Sequence, residues 1–301
     1  MLVLSAADVH ALLTPDSCRE LMREALTALA DDRVFLPLRT VVRPPRLNGL
    51  IALMPTHLFG ENPAFGMKSV CVFPDNPRSG KDAHQGVVTL FAPGTGEPLA
   101  VINAAAVTEI RTAAVSALAT AVLARPDARV LTVFGNGTQA RAHLRALAGS
   151  FEEVRTVTRS TADPAAACAG ADVIVTATTA TDPILFAEWV EPGTHVNAVG
   201  SSIPTAAELD PYLLAKSVLF ADRRESLLNE SGDYLRAAHL IGPGHVRGEL
   251  GEVLTGRAPG RTAPGEITVF KSLGLAIEDV VVARHLYERA RSSGRGSDVP
   301  F

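Results

Sequence analysis

The residues with the clearest chemical meaning form a glycine-rich turn in the middle of the chain. The apolar run 130–134 leads directly into the sequence GNGTQA at 135–140, and a helix is predicted over 141–148. Gly135 permits a tight turn, Gly137 lets the backbone approach a pyrophosphate, and Ala140 lets helix and strand pack closely. Free N–H groups at the helix N-terminus favour phosphate. The turn is therefore predicted to bind a dinucleotide; a structural turn without a ligand is the alternative.

The end of the next predicted strand bears on which dinucleotide is bound. An NAD site usually has Asp or Glu about 20 residues past the glycines, where it accepts hydrogen bonds from the ribose hydroxyls. Here the strand 154–158 is followed by Arg159, Ser160 and Thr161, and the next acid is Asp163. A guanidinium and two hydroxyls suit a 2′-phosphate better. The sequence predicts NADP(H), with NAD(H) left open, unless Arg159 is simply a solvated surface charge.

A lone lysine interrupts an apolar strand pattern in the first third of the chain. Lys68 lies within the run Phe65–Phe73 and follows Gly66. Burying a charged side chain is costly unless it is paired or has a function. Lys68 is therefore a candidate for a functional residue.

Composition excludes several classes of protein. The 301 residues include 28 basic and 32 acidic side chains, a net charge of −4, which argues against nucleic-acid binding. The hydrophobic share of 47% is typical of a globular protein. Cys18, Cys71 and Cys168 are far apart and form no CxxC motif, so we expect thiols in a reducing compartment. We expect no metal site, because the sequence has no His, Cys or Asp cluster at metal-ligand spacing.

The sequence also bears on location. The first residues, MLVLSAADVH, have neither a basic segment nor a long apolar segment, so we expect no signal peptide. The uncharged run Thr112–Ala124 is too short to span a bilayer. We therefore expect a cytoplasmic protein.

The elements that position these residues differ along the chain. The first thirty residues are predicted to be helical, with a capping box at Ser5 and Asp8 and an N-cap at Thr14 before Pro15. Short strand patterns follow, and short turns between them imply an antiparallel sheet. These patterns cover 34–43, 50–54, 67–73, 87–91 and 99–102, and the last two form a hairpin.

The second half predicts a different architecture. A long alanine-rich helix is expected over 104–124, and strand and helix patterns then alternate as far as residue 270. Such alternation predicts a parallel, doubly wound α/β domain of the Rossmann type. Its expected strands are 130–134, 154–158, 173–176, 195–199, 217–221 and 266–270. A helix over 274–291 and a polar tail over 292–301 complete the prediction.

Several motifs together resemble one family, the ornithine cyclodeaminase/mu-crystallin family, over nearly the whole chain. The N-terminal half carries PLRTV at 37–41, LMP at 53–55, GMK at 66–68, HQG at 84–86 and RTAA at 111–114. The second half carries GTQAR at 137–141, ESGD at 230–233, ELGEV at 249–253 and KSLG at 271–274.

The resemblance implies two domains. Residues 1–110 and 275–301 would form an α+β substrate-binding and dimerisation domain, and residues 111–274 the Rossmann domain. It also implies a homodimer, a nicotinamide cofactor and small α-amino or α-imino acid substrates. The sheet of the first domain would otherwise leave an exposed edge, which agrees with a dimer.

Site residues carry over one position at a time. Arg39 and Arg111 match arginines that bind the substrate carboxylate, and a guanidinium can do so through two parallel hydrogen bonds. Lys68 matches the catalytic lysine, which could give a proton to an imine nitrogen. Gln85 could hydrogen-bond the substrate or Lys68, and His84 beside it is as well explained by a loop histidine bonded to backbone. The residues expected at the cofactor are Thr112, Gly135, Gly137, Thr138, Gln139, Ala140, Arg159, Ser160 and Ser272. Lys271 is treated only as possible pocket lining.

Three positions depart from the family pattern. Cyclodeaminases of the family carry an Asp where this chain has Ser202 and a Glu where it has Ala52. Cyclisation of a diamino acid needs an anion to steer the side-chain ammonium, and neither residue supplies one. Asn103 also replaces a frequent acid, without an evident consequence.

These departures favour a reductase of 2-oxo acid imines, or an amino-acid dehydrogenase in reverse. An ornithine cyclodeaminase that recycles bound NAD is one alternative. A non-catalytic, NADPH-dependent binder of small molecules is the other.

Overall fold

Two units make up the chain in the computed structural model, which describes residues 1–301 apart from the side chain of Pro77. One unit comprises Met1–Arg111 with Leu275–Phe301, and the other comprises Thr112–Gly274. Each has its own sheet.

The strands follow the chain in this order: β1 (Leu2–Leu4), β2 (Val34–Phe35), β3 (Thr40–Val42), β4 (Leu50–Leu58), β5 (Ala64–Val72), β6 (His84–Phe91), β7 (Pro98–Asn103), β8 (Val130–Phe134), β9 (Glu153–Val157), β10 (Val173–Thr176), β11 (His195–Ala198), β12 (Val218–Ala221), β13 (Val246–Glu249), β14 (Thr268–Lys271) and β15 (Ser297–Asp298). The α-helices are α1 (Ala6–Leu12), α2 (Pro15–Ala30), α3 (Ala104–Leu123), α4 (Thr138–Leu147), α5 (Pro164–Cys168), α6 (Pro211–Lys216), α7 (Arg224–Glu230), α8 (Gly232–Ala237), α9 (Leu250–Leu254) and α10 (Ala276–Ser293). Short 3₁₀ turns lie at 76–79, 148–150, 187–189 and 243–245.

The sheet of the first unit has the strand order β15-β1-β7-β6-β5-β4-β2, with β3 paired to β4. Strands β4 to β7 are antiparallel, as predicted, and β1 joins β7 in parallel. Along β4, residues alternate between half-buried and buried. Helix α10 contacts strands β4 to β7, and it covers the face on which the buried residues lie. That face is where the charged residues discussed below are found.

The capping predictions at the N-terminus are confirmed. Ser5 and Asp8 form a capping box on α1, and Thr14 caps α2 with Pro15 in its first turn. The hairpin formed by β6 and β7 is confirmed as well.

Three predictions for this unit were wrong in part. Residues 2–4 form a strand rather than a helix, because they pair with β7 and β15 across the chain. The strand expected over 34–43 is split into β2 and β3, and the break includes Pro37, which has no N–H to give to a ladder. The polar tail contributes β15, whose pairing with β1 has no local sequence signal.

Helix α3 is the most apolar long element. The whole helix is long and apolar enough to cross a membrane, although its uncharged part, judged alone in the sequence, is too short to do so. In the folded chain, however, 61% of its most apolar stretch is buried inside the protein, as in a core helix.

The second unit confirms the doubly wound α/β prediction. Its sheet has the order β13-β12-β14-β11-β10-β8-β9, and each neighbouring pair is parallel. The chain reverses direction across the sheet between β8 and β10, the position at which open α/β sheets bind ligands. Strand β13 was not predicted, because its short sequence VRGE carries two charges and a glycine.

Candidate active site

Lys68 lies in the middle of β5, with Met54 of β4 and Val88 of β6 as its partners across the sheet. It is only 4% exposed. Gly66, two residues earlier, lies on the same face. A Cβ at Gly66 would come within 2.5 Å of the Thr89 carbonyl oxygen and 3.1 Å of Val280. The missing side chain therefore lets α10 lie close to the sheet beside the lysine.

Four charged side chains meet at this position. The Lys68 ammonium lies 3.1 Å from Oδ1 of Asp279 on α10. The same oxygen accepts a hydrogen bond from Nε of Arg111, at 3.2 Å, and the Arg111 Nη1 donates to Glu278 at 2.6 Å. Both carboxylates are fully buried. Two cations and two anions thus form one buried cluster of zero net charge.

The cluster sets the protonation of Lys68. Burial lowers the pKa of Lys68 to about 8; the negative charge of Asp279 opposes this shift, and the positive charge of Arg111 adds to it. An amine with such a pKa is mostly protonated at neutral pH and loses its proton at small cost. These are the properties of an efficient general acid and base.

Glu278 and Asp279 were missed by the sequence interpretation. The signal was present, since two adjacent acids interrupt the apolar run from Leu275 to Ala283 at the start of α10. Two buried carboxylates in such a run require cationic partners. Nothing local in the sequence indicates that Lys68 and Arg111 are those partners.

The other substrate-site candidates lie in different settings. Arg39 is half-buried and immediately precedes β3, rather than lying within a strand. Gln85 pairs with Cys71, and residues alternate between faces, so its side chain lies on the opposite face of the sheet from Lys68. Gln85 is exposed and donates to the Asp82 carbonyl oxygen. The structure does not bring it to Lys68, whereas His84 lies on the same face as the lysine.

The glycine-rich turn in the second unit has the form that phosphate binding needs. Gly135 has φ +119°, and a Cβ there would lie 2.6 Å from the Ala177 carbonyl oxygen. Open space surrounds the Cβ position of Gly137, the N-cap of α4, whose first N–H groups receive no side-chain cap. Thr138 is exposed, Gln139 half-buried and Ala140 buried. The space and the donors fit a dinucleotide pyrophosphate.

Arg159 and Ser160 lie beside that turn. Strand β9 pairs with β8 and ends at Val157, whose carbonyl oxygen accepts the Gly135 N–H at 2.8 Å. The side chains of Arg159 and Ser160 are exposed in the turn that follows β9. A hydrogen bond of 2.9 Å joins the Ser160 and Thr158 hydroxyls and orders this turn.

Two further cofactor candidates, Thr112 and Ser272, are buried. Among the described residues the Thr112 hydroxyl has no hydrogen-bond partner, so it could bind a ligand. Ser272 follows β14, and its N–H donates to the Ala198 carbonyl oxygen.

Lys271 is part of the interior of the second unit rather than a pocket lining. Its ammonium lies 2.7 Å from Oδ2 of Asp233, and both side chains are 1% exposed. The other Asp233 oxygen accepts the N–H groups of Glu208 and Leu209, at 2.7 and 2.8 Å. The Glu208 carboxylate in turn accepts the N–H groups of Thr178 and Gly200. The network ties together the loops that follow β10 and β11, at the edge of the sheet that carries the glycine turn.

The three departures from the family pattern have clear positions. Ala52 is buried on β4, on the face of Lys68 and two residues from its partner Met54. Ser202 is half-buried in the loop after β11. The Asn103 side chain accepts the Ala106 N–H at 2.9 Å and so caps α3, which explains how an amide serves where an acid is frequent. Within the described residues, no group of three or more His, Cys, Asp or Glu side chains could hold a metal ion.

Fold and site together define an α/β protein whose second unit has a dinucleotide-binding fold and whose first unit carries a lysine buried in a cluster of charged side chains. The chain belongs to the ornithine cyclodeaminase/mu-crystallin family, whose model matches residues 1–167 and 153–294. It is 41% identical over 284 residues to the ketimine reductase mu-crystallin of Mus musculus, with 88% of each chain covered.

Two solved structures are similar over almost the whole chain. The Thermococcus litoralis Delta(1)-pyrroline-2-carboxylate reductase, in complex with NADH and L-proline, has a TM-score of 0.93 and 33% identity, and the match covers 99% of this chain and 100% of that one. An archaeal alanine dehydrogenase dimer with bound NAD has a TM-score of 0.92 and 32% identity, covering 100% and 99%.

Proposed function

We propose that this protein is a nicotinamide-dependent oxidoreductase that reduces imines of 2-oxo acids to α-amino acids. The observation that carries the proposal is Lys68, a buried amine held by a carboxylate, with a pKa of about 8. A similar mammalian protein is a ketimine reductase, and a similar solved structure is a pyrroline-2-carboxylate reductase. Both names denote reduction of a carbon–nitrogen double bond, and in pyrroline-2-carboxylate that bond lies next to a carboxylate.

The residues divide the work as follows. Lys68 gives a proton to the imine nitrogen, which makes the imine carbon more electrophilic. Arg39 and Arg111 bind the substrate carboxylate, and Arg111 also keeps Asp279 and Glu278 in place. The nicotinamide supplies the hydride when it is bound. The pyrophosphate is held by the N–H groups at the start of α4, and Gly137 leaves the space for it.

Uncharged residues at the two positions where cyclodeaminases of the family carry acids favour this reaction over cyclisation. Ala52 and Met54 place only apolar groups beside the lysine on β4, and Ser202 offers a hydroxyl rather than a carboxylate. A substrate with a charged side-chain ammonium would find no anion at these positions. A cyclic or short apolar side chain suits them better.

The direct test is cofactor oxidation, followed by nicotinamide absorbance. NADPH and NADH are offered in parallel with 2-oxo acids plus ammonia or methylamine, and with preformed cyclic ketimines. We expect oxidation with at least one imine. Proline and ammonia formed from ornithine, with no net oxidation, would replace the proposal with a cyclodeaminase. Tight cofactor binding without any turnover would replace it with a binding protein.

We further propose that NADP(H) is preferred over NAD(H). The support is the pair Arg159 and Ser160, exposed beside the glycine turn at the position where NAD sites usually carry an acid. An arginine contact with a phosphate contributes about 1.5–3 kcal/mol, or roughly 10- to 100-fold in affinity.

Arg159→Ala is expected to raise the Kd for NADPH by about tenfold or more and to leave that for NADH nearly unchanged. Fluorescence titration of the cofactor measures both constants. The matched control is Arg129→Ala, which removes an exposed arginine at the opposite end of β8. Equal effects of Arg159→Ala on the two cofactors would contradict the preference.

We also propose a homodimer, in which a second copy covers the open face of the first unit's sheet. That face, opposite α10, carries exposed apolar side chains that include Phe65 at 39% and Val87 at 37%. Phe65 packs between the rings of His57 and Phe91 on it. The structurally similar archaeal alanine dehydrogenase is a dimer.

Val87→Glu is expected to yield a monomer, because a dimer would bury two unpaired carboxylates, one from each copy. Analytical ultracentrifugation gives the mass of the variant and of the wild type. Val154→Glu is the control, since Val154 is equally exposed, at 39%, on β9 of the other unit. A dimeric Val87→Glu variant, or a monomeric wild type, would rule out this interface.

A cytoplasmic location remains part of the proposal. Cys18, Cys71 and Cys168 are all free thiols, and the first and last are buried. Thiols persist in this state in a reducing compartment.

A further inference from the structure

We propose that Thr108 and Asp279 are positioning residues that fix which N–H bond of Lys68 is broken during proton transfer. The inference rests on the proposed function, and it deepens it by assigning a direction to the proton. It concerns the side chains of the first unit alone.

The lysine has two protein partners, and both lie within hydrogen-bond distance. Its Nζ donates to the Thr108 hydroxyl oxygen at 2.6 Å and to Asp279 Oδ1 at 3.1 Å. An ammonium has three N–H bonds. Two of these N–H bonds therefore point to Thr108 and Asp279. The third N–H bond carries the proton that a bound imine can receive.

Both partners present a lone pair to the lysine. The Thr108 hydroxyl gives its own proton to the Ala104 carbonyl oxygen at 2.6 Å, one turn earlier in α3. Asp279 Oδ1 also accepts a hydrogen bond from Nε of Arg111, at 3.2 Å. Each partner thus accepts a hydrogen bond whether or not Lys68 carries its third proton.

This arrangement defines the proton transfer in both directions. The third N–H bond breaks, its electron pair stays on Nζ, and a new N–H bond forms on the imine nitrogen, while hydride from the reduced nicotinamide reaches the imine carbon. The neutral amine keeps its two N–H bonds to Thr108 and Asp279. Its lone pair then occupies the direction that the lost proton had, ready to take a proton back from the amino acid in the oxidative reaction.

The test compares three variants in α3. Thr108→Val keeps the shape of the side chain but removes the acceptor, so the ammonium can rotate. Thr108→Ser restores the acceptor. Thr120→Val is the matched control, because Thr120 also accepts a hydrogen bond from a side chain, Asn197, but lies twelve residues further along the helix.

The kinetic readout is kcat for imine reduction on the acid side of the pH profile, where Lys68 is protonated in all variants. We expect Thr108→Val to lower this plateau about tenfold or more, with the KM for the cofactor unchanged. Thr108→Ser should return to within about twofold of wild type, and Thr120→Val should stay there. Thr108→Ala removes the same acceptor and serves if Thr108→Val does not fold.

A second readout needs neither cofactor nor substrate. The chain has four lysines, so NMR of protein labelled with ¹³C at lysine Cε resolves each one. The Lys68 signal, identified by its loss in Lys68→Met, should titrate near pH 8 in wild type and at lower pH in Thr108→Val, because an acceptor of the charged form is gone.

The possible results separate the two hypotheses. An active wild type with an unchanged plateau in Thr108→Val would overturn the positioning role and leave the proposed function intact. An unchanged Lys68 titration in Thr108→Val would overturn it too, since the hydrogen bond would then be absent in solution. A wild type that reduces no imine would overturn the proposed function and the positioning role with it.

Discussion

Lys68→Met is expected to lower kcat for imine reduction by about 10²- to 10⁴-fold, the usual contribution of a positioned proton donor. Methionine fills much of the same volume and cannot donate. Binding of NADPH should be retained, because the glycine turn lies in the other unit. Stopped-flow or steady-state absorbance measures the rate, and fluorescence titration measures the cofactor Kd.

The pKa of Lys68 also predicts how the rates of reduction and oxidation change with pH. Reduction needs the protonated lysine, so the wild-type rate should fall as the pH rises through about 8. Oxidation of the amino acid needs the neutral amine, and its rate should rise through the same pH. Lys68→Met should lose this ionisation from both profiles.

The exposed Lys81 provides the control, since Lys81→Met removes an equal charge from the surface of the same unit. If Lys68→Met turned over imines as fast as this control, the lysine would have no part in the chemistry.

The second large effect concerns stability rather than rate. Asp233→Ala is expected to lower the free energy of unfolding by about 3–5 kcal/mol, because it leaves the Lys271 ammonium buried without its counter-charge. It also removes the acceptor for the Glu208 and Leu209 N–H groups. Urea unfolding of the cofactor-free protein, followed by circular dichroism, measures the change.

An exposed ion pair in the same unit provides the comparison. Asp182 lies 3.1 Å from Arg236, but its side chain is 79% exposed. Exposed pairs contribute about 0–1 kcal/mol, so Asp182→Ala should change little. A loss in Asp233→Ala no larger than in Asp182→Ala would mean that the Lys271 charge is compensated in another way.

The two buried charge clusters serve different ends. In the first unit, the cluster of Lys68, Arg111, Glu278 and Asp279 includes a proton that can leave at neutral pH. In the second, the pair of Lys271 and Asp233 holds the loops after β10 and β11. Burial raises the pKa of Glu208 in that network, although Lys271 opposes the shift. The proton donor of the proposed reaction belongs to the first cluster.

The sequence by itself determined the features that depend on near neighbours along the chain. The glycine turn was predicted because its tight backbone, its phosphate-binding N–H groups and its flanking strand and helix are contiguous at 130–148. The capping box at Ser5 and the N-cap at Thr14 were equally local. Lys68 stood out because one charge in an apolar strand has a high cost without a partner. The resemblance to the family added the expectation that Lys68 gives a proton to an imine nitrogen.

Only the tertiary structure decided which groups meet. Asp279 lies 211 residues from Lys68 in sequence, and α10 brings it to the lysine because Gly66 leaves room for the helix on that face. The register of β5 and β6 places Gln85 on the opposite face of the sheet from Lys68. Because side chains alternate between the two faces, a shift of one residue in the pairing would have placed Gln85 on the same face. Local stereochemistry is encoded within a few residues, whereas these contacts depend on how distant elements pair and pack.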